Sequence, residues 1–128
     1  AATQAEMEAA SSTTVYSSPG RQQFHPGSAK GWVKWNGSTS TLDASYNVSS
    51  LTDNGTGDFT INWDVDFSSA NYSFAGMLRK NSGANAGALI AIDHLTAPTA
   101  AALRVRTIDD AANNIDGLYA CVVAFGDQ

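Results

Sequence analysis

The chain has 128 residues, 43% of them hydrophobic and 15% charged, which is enough for one globular domain with a modest core and too little for two ordinary ones. Seven Lys and Arg against twelve Asp and Glu leave a formal charge of −5, the wrong sign for a surface that neutralises nucleic-acid phosphates or adheres to an anionic membrane. A single cysteine, Cys121, excludes an intramolecular disulfide framework and a Cys-based zinc site, and no apolar run approaches the roughly 20 residues of a membrane-spanning helix.

The first residues, AATQAEMEAA, read as a short Ala/Glu/Gln helix with nothing large to bury. About two helical turns do not return their nucleation cost alone, so this helix is expected to lean on neighbouring copies or to continue from a stalk upstream. It lacks the basic, apolar and small-residue order of a signal peptide. SSTTVYSSPGRQQFHPG follows, with Pro-containing turns among Ser and Thr, and predicts an extended arm. Residues 1–28 are therefore read as helix and arm, and residues 29–128 as a head domain.

From Ala29 onward, strand-like runs alternate with turn clusters at a spacing of about 8 to 14 residues, which predicts an all-β fold, an antiparallel β-sandwich. AKGWVKWNG puts Val33 and Trp35 on one face and Lys30, Trp32 and Lys34 on the other, and Asn36-Gly37 closes it with hairpin-turn chemistry. TSTLDASYNVSS predicts one second strand, and TDNGTG a turn whose glycines tolerate positive φ. In DFTINWDVDF, Phe59, Ile61, Trp63, Val65 and Phe67 share one face, with Asp58, Thr60, Asn62, Asp64 and Asp66 on the other. A one-residue slip would expose the whole apolar set, so this register is tightly fixed. NYSFAGMLRK, AGALIAIDH, AALRVRTI and GLYACVVAF supply four more strands, and residues 109–115 allow a single helical turn. GLYACVVAF is apolar on both faces, which predicts a strand covered on both sides, with another subunit as one cover.

Two carboxylates at i and i+2 on a strand stand about 6 to 7 Å apart, near the separations glycosidases use. Asp58, Asp64 and Asp66 meet that spacing, but the interleaved Thr60 and Asn62 make the face wet, and a catalytic acid needs a site that raises its pKa. A solvated strand face, and no enzyme, is the expectation. DNGTGD lacks the order of a calcium loop and reads as a turn. His25 and His94 lack ligand spacing within one chain, and only copies of His25 meeting on a trimer axis would make a metal site. No cofactor or metal is expected. The sequons at Asn36, Asn47, Asn54 and Asn71 read as turn residues. Neither a nucleophile elbow nor a phosphate-cradling loop is present, and Cys121, among apolar neighbours, is expected to be an inert buried thiol.

Trp32 on its open face either stacks on a sugar or packs against a neighbouring subunit, and aromatics are enriched at interfaces. With the two-sided strand GLYACVVAF, this gives Trp32, Tyr119 and Val123 as subunit-interface candidates. If every connection reverses the chain, and TSTLDASYNVSS counts as one strand, the turns at 53–57, 81–86 and 109–116 fall at the end where the arm enters. Those at 36–38, 68–71 and 95–100, with Gln128, then fall at the far end. Binding residues concentrate on loops held by a rigid scaffold, so the receptor-contact candidates are Asn36, Ser38, Ser69, Asn71, Thr96 and Thr99.

The segments ATQAEMEA, SPGRQQFHPGSAKGWVKWNG, SYNVSSLTDNGTGDFTINWDVDFSSANYSFAG and FGDQ together resemble the C-terminal region of bacteriophage tail fibre proteins. The resemblance covers most of the chain, is most specific over residues 45–72 and is weakest over residues 77–118. Trp63 stands where such fibres commonly carry Phe or Tyr. What the resemblance implies is a homotrimer in the virion tail, assembled in the bacterial cytoplasm with other tail proteins. Its β-rich distal head would contact a host-surface glycan or protein, without nucleic acid or membrane insertion. Residues 1–28 would then continue from a fibre stalk. The alternatives are a capsid decoration or head-fibre protein, and a glycan-binding module of a surface depolymerase.

Overall fold

The computed structural model describes residues 1–81 and 87–128; apart from Asn81, the turn expected over residues 81–86 lies outside the described residues. Among the described residues there are eight strands: β1 (Gly31–Asn36), β2 (Thr41–Tyr46), β3 (Val48–Gly55), β4 (Asp58–Trp63), β5 (Ser73–Arg79), β6 (Ala88–Ile92), β7 (Ala102–Asp109) and β8 (Tyr119–Phe125). They form two four-stranded antiparallel sheets, in the orders β2-β1-β8-β5 and β3-β4-β7-β6. The fold is the expected all-β antiparallel sandwich, with one short helix, α1 (Gln4–Ala9), at the N-terminus.

Alternation along the four central strands builds the core. From the first sheet, Val33 and Trp35 of β1 and Ala120, Val122 and Ala124 of β8 point inward. Phe59, Ile61 and Trp63 of β4 and Leu103 and Val105 of β7 meet them from the second sheet. Trp35 and Phe59 meet across the layers with ring centroids 5.6 Å apart. At the arm end of the sandwich Phe67 stacks on Tyr72 at 4.1 Å, and Trp63 packs edge-on to both. The Tyr72 hydroxyl accepts a bond from Trp63 Nε1 at 3.3 Å and donates to the Ala102 carbonyl at 3.1 Å, so the polar atoms of this aromatic cluster are satisfied. Each fully buried large side chain contributes roughly 1.5 to 3 kcal/mol.

The β3–β4 turn requires its glycines. Gly57 sits at φ +63°, and a Cβ there would stand 2.6 Å from the Thr107 carbonyl oxygen and 2.7 Å from the Ile115 nitrogen. Loop 110–118 thus packs directly on this turn, and Gly57 N donates to Asp116 Oδ1 at 2.7 Å.

TSTLDASYNVSS is two strands rather than one. β2 belongs to the first sheet and β3 to the second, and the chain changes sheets at Asn47, whose φ is +56°. Asn tolerates this left-handed conformation better than most residues. Among the described residues, the extra strand inverts the later loop assignments. Loops 64–72 and 93–101 and residues 126–128 lie at the arm end, joined by Phe67 N to Ala100 O at 3.0 Å and Ser68 N to Asp127 O at 2.8 Å. Residues 37–40, 56–57 and 110–118 lie at the distal end, joined by Gly37 N to Gly117 O at 2.8 Å and Thr107 N to Gly57 O at 2.9 Å.

Four further expectations are corrected. β4 ends at Trp63, so Val65 leaves the core face and is 58% exposed, although Phe67 returns to the core. Cys121 is exposed rather than buried, because its position in β8 faces outward from the first sheet. Lys30, expected beside Trp32 on the open face, is buried; burial pushes its ammonium pKa down against the pull of Asp127 and Glu8. Residues 109–115 hold a turn with Ala112 at φ +62° and no helix.

The predicted N-terminal helix forms with a capping box. Glu6 N donates to Thr3 Oγ1 at 3.3 Å and Thr3 N donates to Glu6 Oε2 at 2.8 Å, which holds the Glu6 carboxyl below its ordinary pKa. None of the residues of α1 is buried, and the arm doubles back so that Ala2 N donates to Tyr16 O at 2.8 Å.

Candidate functional site

The six receptor-contact candidates divide between the two ends. Asn36 and Ser38 are distal: Asn36 Oδ1 accepts from Ser38 N at 3.0 Å, Ser38 Oγ donates to the Asp116 carbonyl at 3.2 Å, and Asn81 Nδ2 donates to Ser38 Oγ at 3.2 Å. These bonds tie three loops into one polar surface, beside a cleft of about 280 Å³ lined by Thr56, Lys80, Asn81, Asn114, Ile115 and Asp116. Ser69, Asn71, Thr96 and Thr99 are at the arm end instead, because of the uncounted strand. Thr96 Oγ1 accepts from Arg104 Nη1 at 3.3 Å and Thr99 Oγ1 from Ala102 N at 3.0 Å, so these hydroxyls already serve the fold.

The three interface candidates do share a surface. Trp32, Tyr119 and Val123 lie on the outer face of the β2-β1-β8-β5 sheet, where Trp32 pairs directly with Val123 and Ala75 flanks Val123 from β5. A groove of about 430 Å³ runs across this face and is lined almost entirely by apolar atoms, among them those of Trp32, Ala75, Met77, Cys121 and Val123. Met77 is 79% exposed and Trp32 40%. Lys34 Nζ lies 4.5 Å from the Tyr119 ring centroid and Arg79 Cζ 5.4 Å, so two cations rim the apolar field.

The opposite outer face, on β3-β4-β7-β6, is largely polar and hydrogen-bonded among its own side chains, although Asp93 Oδ2 is buried without a hydrogen-bond partner among the described residues. Arg104 on β7 binds Asp58 through Nε at 2.8 Å and Nη2 at 2.7 Å, and Arg106 Nε donates to Asp93 Oδ1 at 2.7 Å. Asn54 and Asn62 extend the network through Thr60, Ser50 and Thr52. Hydrogen bonds from Arg104 hold the Asp58 carboxyl below the usual range against the opposing effect of burial, and Arg106 does the same for Asp93. The sequence reading placed Asp58 with Asp64 and Asp66 on one wet acidic face. Asp58 is instead buried between two arginines, while Asp64 and Asp66 sit in the exposed loop after β4. The alternation in LRVRTI, which puts both arginines on one face of β7 in register with β4, was the available signal.

No protein-family model matches the chain, and comparison with curated proteins returns no match. Among solved structures, the fold is similar to part of the phiAB6 tailspike, crystallised in complex with three-repeated oligosaccharides of Acinetobacter baumannii surface polysaccharide. The TM-score is 0.55 at 17% identity over 79% of this chain, and the match spans 20% of the length of that tailspike. The likeness is one of fold.

Proposed function

We propose that this chain is the distal, non-enzymatic part of a phage tail fibre, a structural virion protein that recognises a host-surface glycan or protein. The observation that carries this reading is the sandwich shared with part of a tailspike solved with surface-polysaccharide oligosaccharides. Two features of the molecule support it. The distal loops form a polar, hydrogen-bonded surface of Asn, Ser and Asp around Ser38 and Asp116, chemistry suited to hydroxyl-rich ligands. The apolar face around Trp32, Val123 and Tyr119 suits burial against copies of the same chain in a homotrimer.

The test is cell labelling. Purified fluorescent chain, applied to a panel of encapsulated bacteria that includes Acinetobacter baumannii, is expected to stain a subset of strains and to lose the staining when capsule is stripped. Failure to stain any strain or block adsorption of any phage would contradict the reading. Staining accompanied by shortening of the purified polysaccharide would favour a second reading, a module of a surface depolymerase, for which the tailspike likeness is also the support.

A further inference from the structure

The arm and the head meet in a cleft of about 190 Å³, lined by Gln23, Phe24, Tyr46, Asn47, Val65 and Gln128. Four distant parts of the sequence converge there. Val65 is 58% exposed, yet its backbone is held by three side-chain hydrogen bonds. Its N–H donates to Asn47 Oδ1 at 2.6 Å, and its carbonyl accepts from Asn47 Nδ2 and from Gln128 Nε2, both at 3.0 Å. These bonds hold an apolar side chain out against solvent. Tyr46, at 49% exposure, forms part of the same wall, and Phe24 from the 3-10 turn Gln22–Phe24 forms another part.

We infer that this cleft is a binding site for one neutral saccharide ring. The lining combines two aromatic surfaces and a valine, which suit the C–H face of a pyranose, with amides that donate and accept at its hydroxyl rim. The amide of Asn47 is consumed in holding the wall, whereas the Gln23 amide, the Tyr46 hydroxyl and Gln128 Oε1 make no hydrogen bond among the described residues and remain for a ligand. No charged side chain lines the cleft, which argues for an uncharged unit. The volume is below the roughly 300 Å³ at which sites for larger organic ligands begin, so one ring fits and an oligosaccharide would continue outside. The inference rests on the reading of the chain as a glycan-contacting protein, and adds a site at the arm end, separate from the distal loops.

The experiment is amide-resolved NMR titration of the full chain with glucose, galactose, N-acetylglucosamine and N-acetylgalactosamine up to tens of millimolar. At least one sugar should give saturable shifts confined to the amides around Gln23, Tyr46, Val65 and Gln128, with millimolar affinity weakened at least about tenfold by Tyr46→Ala or Gln23→Ala. Both side chains are exposed, so the variants should keep the spectrum of the folded head. Shifts confined to the distal loops would overturn this site while leaving glycan recognition standing. Absence of any shift in a chain that still stains capsulated cells would overturn it too, and absence of staining would count against the broader reading instead.

Discussion

At Asn47 the left-handed backbone and both ends of the side-chain amide serve one purpose, moving the chain from one sheet to the other while fixing Lys30 and Val65 beside it. Asn47→Gly keeps the backbone conformation and loses the clamp, at an expected cost of about 1–3 kcal/mol. Asn47→Ala also strains the backbone and should cost about 1–2 kcal/mol more. Urea denaturation of the two variants checks the order, and an alanine variant as stable as the glycine one would contradict the account. The second residue-scale test is acid. Asp58 and Asp93 have folded-state pKa values below their ordinary carboxylate value, so as pH falls the unfolded chain binds protons first. Their contribution is present above about pH 4 and is lost as pH drops through that value toward the folded-state pKa. Thermal unfolding followed from about pH 7 to pH 3 should therefore show a falling Tm below about pH 4. Asp58→Asn should lower Tm at neutral pH and flatten that acid slope; an unchanged slope would remove the ion cluster from the explanation.

Among the elements, β4 shows how far alternation can be read. Phe59, Ile61 and Trp63 are in the core as their spacing requires, but the pattern continues through Val65 and Phe67 after the strand has ended. Period-two alternation records which side chains are apolar, not where the ladder stops, and the ladder stops because Asn47 captures the backbone of Val65. Ile61→Ala should cost about 2–5 kcal/mol, whereas Val65→Ala should stay within about 0.5 kcal/mol. Comparable losses at the two positions, by the same denaturation measurement, would mean that β4 runs on to residue 67. The same limit explains the misplaced loops. TSTLDASYNVSS has no Gly or Pro to mark a break, and the only sign of one was an Asn, a residue that also occurs where no turn exists. Sandwich class and the core faces of β1 and, as far as Trp63, of β4 were legible because strand alternation is local, whereas β7 and β8, whose alternation is weaker, were legible as strands without an assigned core face. The pairing of Asp58 with Arg104, 46 positions away in sequence, depends on strand neighbours, which no local pattern specifies.

For the whole molecule, the two outer faces of the sandwich differ in kind. One is a lattice of hydrogen-bonded polar side chains around paired charges. The other presents Trp32, Met77, Cys121 and Val123 around an apolar groove, the type of surface that a soluble protein covers. Copies of the same chain are the cover that the fibre reading requires, and the acidic net charge is then carried outward. The account therefore stands most directly on the solution mass by light scattering over a range of concentrations. The predicted result is a stable mass three times that of the 13.4 kDa chain, reduced to that of a single chain by Trp32→Glu with the β signal retained. A folded native chain that stays monomeric at every concentration would contradict it.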